Sequence, residues 1–408
     1  MKNRTIILVT MLPLWSMNNG CGGKALFNTV DMLSKSDYNF YLITNQKNDY
    51  SKLNINRKNV VYIDTEWYFD KIKNNRANKI TTLKYYAIFK KIIIKELGKI
   101  IDSNKNKDII IYAYEVQTVL GCRKIATKYN LPLITRFQGT IMSQYEDKLK
   151  YRILKYPHVQ ALSTKADLII MTDDGTQGDK VLKQYKNDSK LLFIRNGVNI
   201  LDEKIIDIDV EKTKKEFNIP KNKTILLTCS RLESWKRVDR AILAFSKIKD
   251  WHNYCLIIIG DGAELTNLIK LTKDLAIDSN VRFTGAVKNQ DVKKYMQLAD
   301  IFLSFYDLSN VGNPLLEALC LGKPIITYDI GDTNKIINGT NGILLSDVSP
   351  EYIALNIERI NNKKTLNMLS KKSKEYSEKN LYSWSKRMNI EKNEIDKLFN
   401  GEKNEKKE

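Results

Sequence analysis

The sequence predicts an α/β protein with two doubly wound, parallel-sheet domains. Its 408 residues exceed what one ordinary core holds and suit two domains. Short apolar runs alternate with helical patterns along the whole chain, which indicates parallel sheets flanked by helices. Most of these runs are β-branched or aromatic and lack polar alternation, so we expect strands that are buried on both faces.

Two series of strands are predicted, one in each half of the chain. The first comprises Thr5–Thr10, Asn39–Thr44, Val60–Ile63, Asp108–Ala113, Leu133–Phe137, Leu168–Thr172 and Leu191–Asn196. The second comprises Thr224–Ser230, Tyr254–Gly260, Val281–Thr284, Ile301–Ser304 and Pro324–Asp329. The charged segment Asn199–Lys223 lacks a strong strand and is interpreted as the interdomain connection. We therefore expect domains over residues 1–198 and 199–378, and over 379–408 a helix, Leu381–Phe399, with a solvated tail.

The composition is that of a globular chain, with 43% hydrophobic and 28% charged residues. No apolar run approaches the about 20 residues needed to cross a bilayer. The segment Met1–Trp15 has the basic head and apolar stretch of a signal peptide but no small-residue cleavage site, so we interpret it as a buried first strand. Five scattered cysteines without a CxxC pair predict reduced thiols in a cytoplasmic protein.

The net charge of +20 permits binding to nucleic acid, anionic lipid or phosphorylated ligands. The chain is also rich in Lys, Asn and Ile together, a bias that AT-rich coding produces without selection for charge. The charge alone therefore does not choose among these classes. Because the sequence has no RNP, helix-turn-helix or zinc module, we expect no nucleic-acid partner.

A basic loop joins a predicted strand to a predicted helix at Arg231 and Lys236. The stretch Cys229–Val238 follows an apolar strand and precedes an amphipathic helix that includes Ile242. The carboxyl edge of a parallel sheet is where open α/β sheets bind ligands, and a helix N-terminus there favours anions. Two cations at that edge suit a diphosphate and stabilise the charge that it gains as it leaves. A solvated basic turn is the competing interpretation.

A second stretch, Ser304–Ile325, contains a polar loop with Gly312 and then a helix. Glu317 is expected in the first turn of that helix, where a carboxylate accepts hydrogen bonds from ribose hydroxyls. Three free backbone amides at the start of the helix are expected to meet phosphate or sugar oxygens, namely those of Asn313, Leu315 and Leu316. A glutamate that caps a helix beside a loop is the competing interpretation.

Taken together, these stretches resemble retaining GT-B glycosyltransferases, specifically glycosyltransferase family 4. The resemblance runs through most of the second half of the chain. Its motifs are Ser230–Leu232 with Lys236, Ile259–Glu264, Asn280–Gly285, Tyr295–Asp300, Pro314–Ala318, Gly322–Ile325 and Asn341–Gly342. It implies two Rossmann-like domains that face a central cleft. It also implies sugar transfer, with retention at the anomeric carbon, from a UDP- or GDP-sugar to a glycan or lipid-linked acceptor, without a metal or other cofactor.

The resemblance also assigns roles to residues of the second half. Arg231 and Lys236 match the pair on the donor diphosphate, and Glu317 matches the carboxylate on the nucleotide ribose. The segment that includes Phe283 and Gly285 matches the loop near the base.

Three further segments extend the resemblance outside the second predicted domain. Gly22 and Gly23 match the N-terminal glycine loop, whose backbone approaches donor and acceptor. Asn196–Asn199 resembles the segment that closes the first domain. Ser383–Trp384 resembles the start of the segment that crosses back onto the N-terminal domain.

Two departures from the family pattern concern the reacting sugar. Ser309 stands where the family usually carries a first glutamate that contacts the donor sugar. Either Asp307 substitutes for it, or sugar recognition uses Ser309, Asn310 and backbone groups. Many relatives also carry a histidine in the N-terminal domain near the reacting sugar, and here Gln138 is the nearest candidate on the acceptor side.

Two carboxylate pairs are not interpreted as metal sites. Asp173–Asp174 and Asp207–Asp209 resemble the metal-binding pairs of a different transferase fold, but we expect both in ordinary surface loops. His158 and His252 are the only histidines, which excludes a histidine-based metal cluster.

Two basic segments with interleaved apolar residues, Lys71–Lys99 and Lys148–Tyr156, leave two interpretations open. Such a helix lies on an anionic membrane, which would place the protein on the inner face of the plasma membrane. The same pattern also suits a core-packed helix with a solvated lysine face. A sugar-nucleotide epimerase of the same architecture is the alternative function, since it would share the diphosphate site but need no acceptor.

Overall fold

The protein contains two parallel β-sheets with helices packed around them. The computed structural model describes residues 3–11, 24–45, 53–65, 79–105, 107–199 and 208–401, with the backbone alone described at 79–82. Within these ranges one sheet has seven strands and the other has six, and their strands pair in parallel. The predicted fold class is therefore confirmed.

The N-terminal sheet is built from strands of the first predicted series. They are β1 Arg4–Thr10, β2 Asn39–Thr44, β3 Val60–Tyr62, β4 Asp108–Tyr114, β5 Leu133–Phe137, β6 Leu168–Thr172 and β7 Leu191–Ile194. Its helices are α1 Ala25–Lys35, α2 Lys79–Asp102, α3 Val116–Tyr129, α4 Leu149–Leu154, α5 Tyr156–Ser163 and α6 Gly178–Gln184. The strand order is β3-β2-β1-β4-β5-β6-β7. One apolar core lies between this sheet and α2, α3, α5 and α6, and another lies on the opposite face beneath α1.

The C-terminal sheet repeats this plan. Its strands are β8 Thr224–Cys229, β9 Tyr254–Ile259, β10 Val281–Gly285, β11 Ile301–Ser304, β12 Ile325–Tyr328 and β13 Ile343–Leu345, in the order β10-β9-β8-β11-β12-β13. The helices that follow β7 are α7 Val210–Glu216, α8 Val238–Lys247, α9 Leu265–Asp274, α10 Asn289–Leu298, α11 Asn313–Cys320, α12 Pro350–Ile360, α13 Lys363–Asn380 and α14 Trp384–Phe399. Two apolar cores cover the two faces of the sheet.

The predicted strands match the observed ones closely, with one exception. The edge strand β13 was not predicted, because its three residues are too few to show a periodic pattern and two of them are only partly buried. The charged connection between the two series contains the short helix α7, whose N-cap Asp209 accepts a hydrogen bond from the backbone of Lys212 at 3.0 Å.

The carboxyl ends of the two sheets approach each other across a cleft. In each sheet the strand order reverses beside the first strand, between β1 and β4 and between β8 and β11, which is where doubly wound sheets bind ligands. The loop after β6 contacts two loops of the C-terminal domain. The amide of Val311 donates to the carbonyl of Asp174 at 3.1 Å, and the amide of Asp332 donates to that of Gly175 at 3.2 Å.

The last helix, α14, packs on the N-terminal domain rather than on the sheet that precedes it in sequence. Ile395 of α14 is fully buried in the core beneath α1, and Trp384 packs against Ala25 at the start of α1. Just before α14, the carbonyl of Tyr382 accepts a hydrogen bond from the amide of Val198 at 2.9 Å. In the described ranges, none of the helices has the combination of length and hydrophobicity that a membrane span requires.

Candidate active site

The predicted basic loop lies at the carboxyl edge of the C-terminal sheet, between β8 and α8. Arg231 is exposed, whereas Lys236 is partly buried at the end of a 3₁₀ turn, Ser234–Lys236. The ammonium of Lys236 lies 3.9 Å from the ring centroids of both Trp235 and Tyr306. The lysine therefore has a fixed position between two aromatic rings, which attract a cation through their electron-rich faces.

Two backbone contacts and a glycine fix the start of this loop. The amide of Ser230 donates to the carbonyl of Ile259 at 3.0 Å, and the amide of Leu232 donates to that of Asp261 at 2.9 Å. Gly260 has φ 137°, and a Cβ there would lie 1.8 Å from the carbonyl oxygen of Ser230. Only glycine permits this approach, so the Gly260 turn supports the backbone on either side of Arg231.

The charge of Lys236 depends on three features of its surroundings. Burial lowers the pKa of Lys236 to about 7, the negative charge of Asp174 raises it, and the positive charge of Arg231 lowers it. A bound diphosphate would favour the ammonium form, because an opposite charge nearby stabilises the charged state.

The helix α11 places the second predicted group of residues, with two corrections. The amides of Leu315 and Leu316 donate to the carbonyl of Gly312 at 3.1 and 3.2 Å, so the expectation that both are free is wrong. They are bonded because Gly312 is the N-cap, and the N-cap carbonyl accepts the first bonds of a helix. Asn313 begins the helix, and its side-chain oxygen accepts a hydrogen bond from Asn196 at 3.0 Å.

Glu317 lies beyond the first turn of α11, not within it. This correction removes the competing interpretation of Glu317 as a helix-capping residue. Its carboxylate raises the pKa of the Cys229 thiol, an effect second to that of burial. Cys229 ends β8, so Glu317 is close to the point where the Arg231 loop begins.

The three candidates for recognition of the donor sugar have different surroundings in the structure. Asp307 forms ion pairs with Arg240 at 2.7 Å and Arg237 at 3.2 Å. Asn310 is 1% exposed, and it accepts a hydrogen bond from Ser304 at 2.7 Å. Asn310 is therefore a loop-bracing residue, and its expected contact with donor is wrong because its amide is engaged inside the fold.

Ser309 remains at the surface of the cleft in an unusual backbone conformation. Its φ is 55°, in the left-handed region that few non-glycine residues adopt. Its hydroxyl donates to the carboxylate of Asp174 at 2.6 Å, across the cleft. Strained conformations of this kind persist where the surrounding structure demands them, often at functional sites.

The expected base-side segment lies next to the basic loop. Gly285 ends β10, and its carbonyl accepts a hydrogen bond from Gly260 at 3.0 Å. Phe283 packs partly against the core beneath α8. The Gly260 turn thus joins this segment to the backbone around Arg231. Gly22, Gly23 and Asp207 lie outside the described residues.

Asp174 is a cleft residue that the sequence interpretation assigned to a surface loop. It is 7% exposed, and the expectation is wrong because the loops of the other domain cover it. Its neighbour Asp173 pairs with Arg195 at 3.2 Å. No cluster of three or more metal-ligating side chains occurs among the residues that the structure describes.

Glu115 is a second cleft carboxylate that the sequence interpretation missed. It follows β4 with φ 72° and ψ 162°, and its carboxylate accepts a hydrogen bond from the amide of Gln138 at 2.6 Å. Burial raises the pKa of Glu115 to about 7, and the charge of Asp174 contributes. Glu115 is the first residue after β4 and Asp174 is the second residue after β6. Both positions lie at the carboxyl edge of a parallel sheet, which predicts a site residue.

Parts of the chain are similar in sequence to known glycosyltransferases. Residues 209–380 match the family model described as glycosyl transferases group 1. A Methanocaldococcus jannaschii protein named as an uncharacterized glycosyltransferase is 31% identical over 264 residues, which cover 63% of this chain and 65% of that one. The alpha-monoglucosyldiacylglycerol synthase of Acholeplasma laidlawii is 27% identical over 225 residues, 54% of each chain. The matched stretches thus span about half to two thirds of these relatives.

Solved structures show the same fold over almost the whole chain. The Anabaena protein HepE, solved in complex with UDP and glucose, superposes with a TM-score of 0.71 at 16% identity, covering 96% of this chain and 98% of that one. Residues 209–380 are therefore similar to the group 1 glycosyl transferases, and the chain as a whole has the GT-B fold.

Proposed function

We propose that the protein is a retaining glycosyltransferase that transfers a sugar from a UDP- or GDP-sugar to a glycan or lipid-linked acceptor. The observation that carries this proposal is the placement of Arg231 and Lys236 in the strand-to-helix loop at the cleft. Glu317 lies within α11 and does not cap that helix. It is close to the same loop, as expected of a carboxylate that binds ribose.

The proposed chemistry needs charge stabilisation more than it needs a nucleophile. The bond between the anomeric carbon and the diphosphate oxygen breaks, and a bond from that carbon to an acceptor hydroxyl forms on the same face. The hydroxyl proton passes to the departing phosphate. Arg231 and Lys236 would stabilise the charge that develops on the diphosphate. No step of this proposal is assigned to a metal or another cofactor.

The donor side of the proposal rests on the C-terminal domain. HepE, which shares the fold, was solved with UDP and glucose, and this supports a nucleotide sugar as the donor here. Phe283 and Gly285 would lie near the base, Gly312 and Asn313 near the phosphate or sugar, and Ser309 near the sugar. Gly22 and Gly23, the glycine pair of the resemblance, lie outside the described residues. We assign them to the same donor from the sequence alone.

The acceptor side of the proposal includes an anionic membrane surface. On α4, Leu149 is 73% and Ile153 67% exposed, one turn apart and beside the exposed cations Lys150 and Arg152. Apolar residues among cations on an exposed helix suit insertion at an anionic lipid surface.

The other basic segment supports the alternative interpretation. In α2, Tyr85, Phe89 and Ile93 are buried against the N-terminal sheet, so this part of the segment is a core-packed helix with lysines on its outer face. We therefore restrict the proposed membrane surface to α4. Four buried, free cysteines in the described residues suit the reducing cytoplasm, which is the proposed location.

The enzymatic proposal is tested by a donor screen on the whole protein. A panel of UDP-, GDP- and ADP-sugars is compared for protection against thermal unfolding and for release of nucleotide with and without acceptor glycans. Arg231→Ala and Lys236→Ala should each lower kcat/KM by about 10²–10³-fold for the preferred donor. The matched control is Lys270→Ala, which removes an exposed lysine of α9. No response to any donor or to UDP would contradict the proposal, and conversion of the donor without an acceptor would favour an epimerase.

The membrane proposal has its own test. Flotation with phosphatidylglycerol vesicles should recover the protein, and the double change Leu149→Ser with Ile153→Ser should abolish recovery without lowering thermal stability. Leu355→Ser is the matched control, because Leu355 is 60% exposed on α12 of the other domain. Equal recovery of all three proteins would contradict the proposed surface.

A further inference from the structure

Two arginines share one carboxylate oxygen inside the N-terminal domain, where α14 packs on the sheet. Arg136 lies on β5, and Arg387 and Glu391 lie one turn apart on α14. Nη1 of Arg136 donates to Oε2 of Glu391 at 2.6 Å, and Nη1 of Arg387 donates to the same oxygen. All three side chains are 0% exposed. Each guanidinium group thus contacts the carboxylate through one nitrogen only.

The charges of this cluster do not balance. Two buried guanidinium groups meet one buried carboxylate, whose other oxygen accepts a hydrogen bond from the hydroxyl of Tyr112 at 2.5 Å. In the part of the chain that the structure describes, no other carboxylate forms an ion pair with either arginine. Burial lowers the pKa of Arg387 and outweighs the charge of Glu391, which raises it. A buried charge without a counter-charge is unfavourable, so one further negative charge would stabilise the cluster.

Both arginines also have unused hydrogen-bond donors. Among the described residues, none accepts a hydrogen bond from Nε or Nη2 of Arg136, or from the same two atoms of Arg387. These two nitrogens form the side of a guanidinium group that binds two oxygens at once. Arg152 shows this geometry elsewhere in the protein, since its Nε and Nη2 donate to the two carboxylate oxygens of Asp147 at 2.6 and 2.7 Å. The buried cluster therefore contains two donor pairs of the kind that binds anions.

The neighbouring polar groups do not supply the missing negative charge. The ring of Tyr114 lies 5.1 Å from the guanidinium carbon of Arg136, but burial raises the pKa of Tyr114 far above neutrality, so its hydroxyl stays uncharged. Glu115 accepts a hydrogen bond from the amide of Gln138 at 2.6 Å, and burial raises its pKa to about 7, so it is only partly ionised near neutral pH. A water molecule would accept hydrogen bonds from the arginines but would bring no charge. These observations favour an anion.

We propose that Arg136 and Arg387 bind one small monovalent anion, chloride or a planar oxoanion, through their Nε and Nη2 atoms. The anion balances the charge of the second arginine and completes the contact between α14 and β5. Because these side chains are closed off from solvent, the anion binds as α14 packs on the N-terminal domain, and the unfolded chain has little affinity for it. The inference goes beyond the transfer reaction and does not depend on it.

The first test measures how the stability of the full-length protein depends on chloride. Urea unfolding is followed at constant ionic strength, with chloride replaced stepwise by gluconate, an anion too large for a closed site. Above the dissociation constant, each tenfold rise in chloride should lower the unfolding equilibrium constant about tenfold, because one bound anion is released on unfolding. A stronger effect of formate than of chloride would assign the site to a planar oxoanion, and an equal or weaker one would assign it to chloride. Unfolding that responds to neither anion would overturn the proposal.

Two variants of Arg387 separate its charge from its paired donors. Arg387→Met should remove the dependence on the anion, because the charges of Arg136 and Glu391 then balance. Arg387→Lys keeps the charge but lacks the paired donors, so it should weaken the dependence. Arg359→Met is the matched control, since it removes an exposed arginine of α12, and it should respond to the anion as the wild type does. A wild-type response in Arg387→Met would overturn the proposal.

The second test detects the anion directly and needs no variant. Crystals of the wild type grown in sodium bromide should show an anomalous difference peak within hydrogen-bond distance of both Arg136 and Arg387. Where formate has the stronger effect on unfolding, crystals grown in sodium formate should show its planar density at the same place. A water molecule there in both crystals would overturn the proposal. An anion peak without any effect of that anion on urea unfolding would mean binding at crystal concentration only, and would also overturn it.

Discussion

The guanidinium of Arg136 and the carboxylate of Glu391 lie 2.6 Å apart, with both side chains fully buried. Arg136 is on β5 and Glu391 is on α14, so the pair joins the centre of the N-terminal sheet to the last helix. Arg387 also pairs with Glu391, and the hydroxyl of Tyr112 donates to it at 2.5 Å. This cluster holds the end of the chain on the N-terminal domain.

Replacing Glu391 should destabilise the fold strongly. Glu391→Gln leaves Arg136 and Arg387 without their shared carboxylate, and breaking a buried pair from one side costs about 3–5 kcal/mol. Chemical denaturation measures the loss. The control is Glu375→Gln, since Glu375 forms an exposed pair with Lys372 that should contribute little. If Glu391→Gln lowers the unfolding free energy no more than the control does, Glu391 does not stabilise the fold in this way.

The same cluster predicts sensitivity to acid. Burial acts to raise the pKa of Glu391, but the charges of Arg136 and Arg387 outweigh it, and the pKa falls below its ordinary value of 4.5. A carboxylate with a lowered pKa contributes stability above pH 4.5, and this contribution disappears as the pH falls through the lower value. The difference in unfolding free energy between the wild type and Glu391→Gln should therefore shrink below pH 4.5.

Gly260→Ala should displace the Arg231 loop. The added Cβ would overlap the carbonyl of Ser230, so we expect a loss of about 1–3 kcal/mol beyond the backbone cost of the substitution, together with weaker UDP binding. Gly339→Ala is the matched control, because Gly339 also has a positive φ, 82°, but open space around its Cβ position. Equal stability and UDP affinity of the two variants would argue against support of the loop by Gly260.

Glu115→Gln should change how stability depends on pH. Because burial raises the pKa of Glu115 to about 7, against 4.5 ordinarily, its contribution to stability is present below pH 4.5 and is lost as the pH rises through about 7. Between pH 5 and 7.5 the wild type should lose stability relative to Glu115→Gln, as followed by denaturation at both pH values. Glu378→Gln changes an exposed position, and its unfolding free energy should depend on pH as that of the wild type does. A difference in unfolding free energy between the wild type and Glu115→Gln that does not change with pH would contradict the prediction.

Ser309→Glu should place a second carboxylate against Asp174. Like charges at this distance disfavour ionisation of both groups, so we expect a lower melting temperature at pH 7.5 that partly recovers at pH 5.5. Ser309→Gln has the same size and backbone cost without the charge, and it should show no such recovery. Adding Asp174→Asn to Ser309→Glu should restore stability at pH 7.5, and failure to do so would mean that the cost is steric.

The sequence alone determined the fold class, most strand positions and the candidate donor loops. Buried parallel strands such as β4 and β9 appear as continuous apolar runs, and this signal is local because both faces of each strand are covered. The sequence also predicts the candidate site residues Arg231, Lys236 and Glu317, because each follows such a strand within one loop or helix.

Only the tertiary structure decided which polar groups meet across the cleft. Ser309 and Asp174 are 135 residues apart and in different domains, and no local period relates them. The pairing of Asp307 with arginines and the burial of Asn310 likewise depend on neighbouring loops. Periodicity records which face of an element is buried, whereas the partner of a loop side chain is determined by how the two domains pack.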